Sequence, residues 1–278
     1  MTTDTQKPAF PMNWEEAVRW LREQADQQAL VRDCYFDDPL LKVASRYHSE
    51  AEWQAVKMLL PCPPGSALDV GAGRGIASYA LANDGWTVTA LEPDPSDLVG
   101  AGAIRALAKE TSMAINIVER WGEQLPFSDA SFDVIHARQV LHHAKDLPEL
   151  CKELFRVLRP GGRLVATREH VISRPEDLPV FLDAHPLHRL YGGENAFSVR
   201  QYVRALQGAG FRMAKIFTPF ETPINYFPMT YEHIQKAVAD ILHWPIPQYL
   251  PPVLIRIVSR LLNTPGRLYT FVCDRDRE

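Results

Sequence analysis

Apolar positions along the chain change their period near Ser66. Before it, Trp14, Ala17, Val18, Leu21 and Ala25 recur three and four residues apart, the spacing of one helix face. Asn13 followed by Glu16 forms a capping-box pattern that starts this helix. A second helical stretch is predicted over 49–60, stopped by Pro61 and the Pro63-Pro64-Gly65 turn. Both helices are expected to pack over the mouth of whatever the next segment binds. From Ser66 short apolar runs alternate with helical patterns. Strands read at 66–70, 86–91, 114–118, 132–136 and 162–168, and helices at 75–84, 96–110 and 146–158. Such alternation predicts an α/β fold with a parallel sheet covered on both faces. Asp146-Leu147-Pro148-Glu149 carries a helix start, and Arg159-Pro160-Gly161-Gly162 a stop.

Beyond Glu169 the regularity breaks. Residues 170–197 are rich in His, Pro and Gly, a helix resumes over 198–208, and strands follow at 211–217 and 267–273. The insertion 219–265 between these two strands carries eight prolines and two predicted helices, 230–243 and 252–262. In the second, Leu254, Ile257, Val258 and Leu261 share one face, with Arg256, Ser259 and Arg260 roughly opposite. This predicts a cap helix packed by its apolar face; the less favoured alternative is a helix lying on a membrane surface. The chain therefore divides into an N-terminal helical cap, 1–64, and an α/β domain, 65–278, holding the region 170–197 and the insertion 219–265. Residues 1–12 read as disordered.

Composition narrows the function classes. The 278 residues can bury one substantial core, and a net charge of -4 without a Lys/Arg run argues against a nucleic-acid partner. Cys34, Cys62, Cys151 and Cys273 lie far apart, without a CxxC pair, and read as reduced thiols rather than disulfides or a zinc site. The first ten residues lack the basic-then-apolar order of a leader, and no apolar run reaches membrane-spanning length. A cytoplasmic protein is expected. Nothing in the pattern specifies an oligomeric state.

The chemistry concentrates in Ala67-Leu68-Asp69-Val70-Gly71-Ala72-Gly73-Arg74-Gly75. Glycines at alternate positions let the chain turn sharply and let a ligand reach main-chain N–H groups, as nucleotide-cofactor loops require. The spacing is GxGxG, not the GxGxxG of a dinucleotide fold. Asp69 would sit poorly beside a pyrophosphate but suits an ammonium group, such as that of S-adenosylmethionine. Glu92 ends the next strand, where an acid accepts from ribose hydroxyls in either a nicotinamide or an S-adenosylmethionine site.

Two later stretches, Leu125-Pro126-Phe127-Ser128-Asp129-Ala130-Ser131-Phe132-Asp133-Val134-Ile135-His136 and Leu158-Arg159-Pro160-Gly161-Gly162-Arg163-Leu164, complete an ordered set over about 65–170. With them the chain resembles the class I S-adenosylmethionine-dependent methyltransferase superfamily, in its ubiquinone/menaquinone-biosynthesis-like (type 11) branch. The resemblance implies a Rossmann-like, seven-stranded, mostly parallel sheet whose last strand is antiparallel, with S-adenosyl-L-methionine across the strand ends. It implies that Asp69, Gly71, Ala72 and Gly73 surround the methionine moiety and that Glu92 takes the ribose. Pro93 and Asp94 would border the adenine, Gly122 and Glu123 would form a turn against it, and His136 would follow the fourth strand beside the sulfonium. One departure stands out: Trp121 occupies the place of an Asp that commonly accepts the adenine amino group. Either Trp121 stacks on the purine or Glu123 replaces the missing carboxylate.

The activity so implied is methyl transfer, most readily to an oxygen of a small molecule, sugar or lipid-linked intermediate, rather than to nitrogen or carbon. A nicotinamide-dependent oxidoreductase is disfavoured by the loop spacing and Asp69. A non-catalytic S-adenosylmethionine-binding protein is hinted at only by Trp121. Candidate bases are His142, His143, His170, His185 and His188; Leu141-His142-His143 resembles a family stretch that is often structural. The run Asp183–Asn195 reads as a self-satisfied loop or as an acceptor-binding loop with His185 or His188 as base. As a metal site His185 and His188 lack a complete ligand set, so no metal is predicted.

Overall fold

The alternation of strand and helix builds one sheet. In the computed structural model, which describes residues 12–277, the strands are β1 (Ser66–Val70), β2 (Thr87–Leu91), β3 (Ile115–Val118), β4 (Phe132–Arg138), β5 (Leu158–Ile172), β6 (Phe197–Ser198), β7 (Arg212–Phe217) and β8 (Arg267–Asp274). Apart from Met12, the expected disorder of residues 1–12 lies outside the described residues. The main path runs β3-β2-β1-β4-β5-β8-β7, and the two-residue β6 pairs with the end of β5. Every pairing from β3 to β5 is parallel, while β8 is antiparallel to both neighbours. The seven-stranded, mostly parallel expectation is met, with β6 as a small addition.

Period-two alternation sends successive residues of the central strands to opposite faces, and both faces are packed. Leu68 and Ile135 join a core with Leu150, Leu154, Tyr202 and Phe271. Their neighbours Ala67 and Val134 join a second core with Trp53, Ala80 and Leu81. The predicted caps form as read: Asn13 and Glu16 make the reciprocal capping box, and Asp146 accepts from the Glu149 N–H.

Several elements differ from the sequence reading, each for a local reason. Two helices, Leu40–Ser49 and Ala51–Lys57, meet where Glu50 is extended, and only the second answers to the helix predicted over 49–60. The first of these buries Val43, Ala44 and Tyr47, a helical spacing the reading passed over. The helix predicted from residue 96 starts at Ala101, because Ser96 Oγ accepts the N–H groups of Leu98 and Val99 and holds a turn there instead. Strand β5 runs on to Ile172, so His170 lies in the sheet, and two short helices, Asp177–Ala184 and His188–Tyr191, occupy the region read as irregular.

The insertion helix Pro252–Leu261 is rotated relative to its predicted apolar face. It buries Ile255 and Ser259, whose hydroxyl bonds Thr218 Oγ1 and the Phe220 N–H. Leu254 and Val258 pack partly against Tyr226, Ile234 and Leu250, but Ile257 and Leu261 face outward with Trp244, Ile246 and Tyr249. The buried hydroxyl bonds, invisible to a count of apolar residues, set the rotation. No helix among the described residues is long and apolar enough to cross a membrane.

The N-terminal helices are tied to the sheet by a buried ion pair. Glu52 is fully buried on the helix Ala51–Lys57 and receives Arg138, at the end of β4, through both carboxylate oxygens at 2.6 and 3.1 Å. The Arg138 guanidinium also lies 5.4 and 5.7 Å from the ring centres of Tyr35 and Tyr47. Burial opposes ionisation of Glu52, yet Arg138 and Arg168 outweigh it and hold its pKa below the ordinary value. Removing one partner of such a pair strands the other charge. We therefore expect Glu52→Ala and Arg138→Ala each to lose about 3–5 kcal/mol of unfolding free energy. In chemical denaturation the double variant should lose much less than the sum; additive losses would show the pair to be uncoupled.

Candidate active site at the carboxyl ends of the strands

The glycine loop leaves β1 and enters the helix Ile76–Asn83. Gly71 has φ +60°, and a Cβ there would come within 2.7 Å of Val140 Cγ2. Only glycine allows both the left-handed turn and the close approach of the loop after β4. Asp69, buried at the end of β1, accepts from Ser78 Oγ at 2.6 Å and faces His136 Nδ1 at 3.0 Å. Glu92, just past β2, accepts the Gly73 N–H at 2.6 Å and the Asp94 N–H at 2.9 Å. Burial outweighs these two bonds and pushes its carboxyl up to about 7.

These groups wall a cavity of about 640 Å³. The loops after β1, β2 and β3 form one side, where Asp69, Gly71, Ala72, Gly73, Glu92 and Pro93 all line it, as do Trp121, Gly122 and Glu123. Trp121 is exposed at the rim, with Lys145 Nζ 5.0 Å from its ring centre. One Glu123 oxygen accepts the Lys145 N–H at 3.0 Å, so it is already engaged. Trp14, Leu30 and Phe36 of the N-terminal segment line the cavity as well.

His136 departs from its expected place. It is fully buried on β4, paired in register with Asp69, and does not line the cavity. The strand continues two residues further than predicted, so Arg138, Gln139 and Val140 supply that wall instead. Gln139 turns the chain there at φ +57°. His188 is the second correction: it lies off the cavity, on the helix His188–Tyr191, whose first N–H meets His185 Nδ1 at 3.3 Å. His142, His143, His170 and His185 do line the cavity.

The histidine wall is organised by two carboxylates. Glu169, fully buried, accepts the N–H groups of Val140, Leu141 and His142 at 3.0–3.1 Å and His142 Nδ1 at 2.7 Å. Glu194, on the other side of His142, accepts from Tyr191 Oη at 2.7 Å. Burial disfavours the His142 cation, but Glu169 and Glu194 outweigh it and raise its pKa to about 9. Burial likewise opposes the Glu194 anion, yet the nearby imidazoles, His142 foremost, outweigh it and hold its carboxyl well below the usual range. His143 Nδ1 faces the Gly193 carbonyl at 3.0 Å, which places the proton on Nδ1 and leaves the Nε2 lone pair free. Burial and the neighbouring His142 lower the His143 pKa. His170 Nδ1 is held in the same way by the Gly266 carbonyl at 2.9 Å, and burial pushes its pKa down to about 3.

The sequence pattern assigns no role to Glu169 or to Glu194, which lies within the Asp183–Asn195 run. A carboxylate beside the Gly192-Gly193 turn was the available signal for Glu194. For Glu169 there was none. Among the described residues two groups, His142–His143–Glu194 and His170–His185–Glu194, each bring ligand atoms within 4.8 Å of one another. The prediction of no metal ligand set rested on neighbours in sequence, whereas these ligands come from separate segments.

The cradle fits S-adenosylmethionine better than a dinucleotide. Arg74, the loop's own cation, is turned away from the glycines to the carbonyls of Tyr35 and Asp37 and to Asp38, so it is committed elsewhere than to a pyrophosphate. Acids at 69 and 92 suit an ammonium and a ribose diol.

Comparison with known proteins agrees. A family model described as a methyltransferase domain matches residues 68–166. The ubiquinone/menaquinone biosynthesis C-methyltransferase of Brucella anthropi is 28% identical over 169 residues, 55% of this chain and 62% of the relative. The 2-methyl-6-phytyl-1,4-hydroquinone methyltransferase of Synechocystis is 34% identical over 138 residues, 47% of this chain and 41% of the relative. The chain thus spans less than two thirds of the length of these curated relatives. The solved structure of geranyl diphosphate C-methyltransferase from Streptomyces coelicolor superposes with a TM-score of 0.58 at 17% identity, covering 94% of this chain and 97% of that one. Over residues 68–166 the chain is thus similar to the methyltransferase-domain family, and its glycine loop and strand order accord with the class I S-adenosylmethionine-dependent kind.

Proposed function

We propose that the protein is an enzyme that transfers the methyl group of S-adenosylmethionine to an oxygen of a small molecule with an apolar body, bound against the histidine wall. The observation that carries this reading is that one cavity joins the Gly71–Gly73 and Glu92 wall to His143. Bound in the first part, S-adenosylmethionine supplies a methyl group activated by a positively charged sulfur. Asp69 would face the ammonium group, and Glu92 would accept the ribose hydroxyls. Trp121 would cover the purine from the rim. Trp14, Leu30, Phe36 and Leu187 offer the apolar body of an acceptor a dry surface and exclude water from the reacting atoms.

His143 is the group placed to take a proton. It is the more exposed of the His142–His143 pair, and its Nδ1–H is held by a backbone carbonyl. Its Nε2 lone pair is therefore available to an acceptor hydroxyl without a change of tautomer. His143 Nε2 would take the proton of an acceptor hydroxyl whose oxygen gains the methyl group, and the donor would supply that methyl and leave as neutral S-adenosylhomocysteine. His142, held between Glu169 and Glu194, is a fixed cation and orients the wall instead. The test is transfer of a labelled methyl to extract fractions, with the product's methyl position read by mass spectrometry and NMR. A methyl on oxygen is expected; a methyl on carbon would refute the acceptor atom, and no transfer at all would refute the activity.

Two outcomes follow for the named residues. Relative to the ordinary carboxylate value of 4.5, Glu92 holds its proton up to about pH 7, so its contribution to stability falls as pH rises through that window. Donor binding needs the ionised acid and runs the other way. Affinity for S-adenosylhomocysteine should rise about tenfold per pH unit below about 7 and then level off. Calorimetry on Glu92→Gln should show a flat profile and about 10–100-fold weaker binding at pH 8. For His143→Ala, turnover should fall about 10²–10⁴-fold while S-adenosylhomocysteine affinity stays unchanged, and wild-type turnover would remove the base.

A further inference from the structure

The buried polar atoms around Glu194 do not satisfy one another. Glu194 Oε1 is taken by Tyr191, but Oε2 is buried with no hydrogen-bond partner. His170 Nε2 is likewise buried and unpartnered, its proton being fixed on Nδ1 by the Gly266 carbonyl. Both free atoms carry lone pairs only, so neither can donate to the other. His142 Nε2 stands 3.5 Å from Glu194 Oε2, beyond the range of a good hydrogen bond. His185 completes the group from the end of the helix Asp177–Ala184, its ring centre 5.2 Å from that of His170. His170, His185 and Glu194 bring their ligand atoms within 4.8 Å of one another, at the edge of the cavity. Two buried carboxylates, Glu169 and Glu194, share the single imidazole His142, which leaves room in the charge balance for a cation.

From this geometry we propose that His170, His185 and Glu194 form a binding site for one divalent transition-metal ion of the zinc class, opening onto the acceptor side of the cavity. Two imidazoles and one carboxylate match the donor preference of such ions and leave coordination positions for water or an acceptor oxygen. The outer contacts are those that metal sites use: a backbone carbonyl holds His170 Nδ1, and a tyrosine hydroxyl holds the far oxygen of Glu194. The link to an acceptor rests on the methyltransferase reading, but binding of the metal does not.

The test uses the full chain, stripped with a chelator and titrated with Co²⁺. Visible absorption and elemental analysis after desalting read the metal, and calorimetry with S-adenosylhomocysteine runs on the same samples. One equivalent of Co²⁺ per chain with visible ligand-field bands, displaced by Zn²⁺, is expected. His185→Ala and Glu194→Gln should each weaken Co²⁺ binding at least about tenfold and leave the calorimetric heat unchanged. These two substitutions spare the sheet, which His170→Ala does not. Retention of Co²⁺ well below one equivalent by protein that binds S-adenosylhomocysteine overturns the proposal. So does equal retention by both variants, which marks an adventitious ion only. Stoichiometric, variant-sensitive Co²⁺ binding without S-adenosylhomocysteine binding would keep the metal site and remove the methyltransferase reading instead.

Discussion

A carboxylate sealed at the end of the sheet, Glu169, sets the geometry on which the rest of the site depends. It has no exposed surface, and its two oxygens take three successive backbone N–H groups and one imidazole. Those N–H groups belong to the turn after β4 and are not used in the sheet, so Glu169 is what satisfies them. Its inward aim follows from an irregularity in β5: the register against β8 shifts between Ala166 and Glu169, with Arg168 at φ +59°. Without that shift, alternation along the strand would send residue 169 to the other face. The bulge turns the carboxylate inward, the carboxylate bends the 140–142 turn, and the turn brings Val140 onto Gly71 and His143 into the cavity. A backbone irregularity thereby becomes a statement about chemistry.

The two walls of the cavity differ in how they treat charge. On the donor wall Glu92 has only two backbone N–H groups as partners, and burial keeps it close to neutral. Such an acid is primed to ionise when hydroxyls approach. On the opposite wall one cation serves two carboxylates: His142 lies between Glu169 and Glu194, and around it burial and the His142 charge lower the pKa values of His143 and His170. Neutral imidazoles with one tautomer imposed by a backbone carbonyl serve as lone-pair donors, to a proton or to a metal. Two imposed tautomers in one wall make it a reactive surface rather than a packed filler.

How much of this was legible in the sequence depends on how local each signal is. The glycine loop, the strand-terminal Glu92 and the strand–helix alternation each lie within a few residues, and the elements form in the predicted order, with several bounds shifted. The failures share a different cause. His136 was misplaced because two further residues of β4 are set by pairing with β5, from Val134 through Arg138, and not by their own apolar pattern. The rotation of the helix Pro252–Leu261 is set by hydroxyl bonds to residues about forty positions earlier. Glu169 and Glu194 carry no local mark of their roles, because each acts on groups brought near only by the fold. His188 was paired with His185 by its spacing in sequence, yet the helix beginning there turns it off the cavity.

The matched family segment ends at Ala166; it holds His142 and His143 but not the residues packed around them. Glu169, His170, His185 and Glu194 come from the end of β5 and the region after it, while Trp14, Leu30 and Phe36 come from before β1. On the proposed reading the shared segment would hold the donor, and the flanking segments would shape what the donor meets. Two arginines bind these flanks to the sheet. Arg138 locks Glu52 of the N-terminal helices, and Arg168 gives its guanidinium to the carbonyls of Ile224 and Phe227 in the insertion. Arg138 ends β4 and lines the cavity, Arg168 lies at the bulge within β5, and both face the same buried Glu52. Through Arg138 the cavity wall and the anchoring of the N-terminal cap therefore share a residue. The N-terminal cap also holds the glycine loop directly, through Arg74 on the carbonyls of Tyr35 and Asp37 and on Asp38.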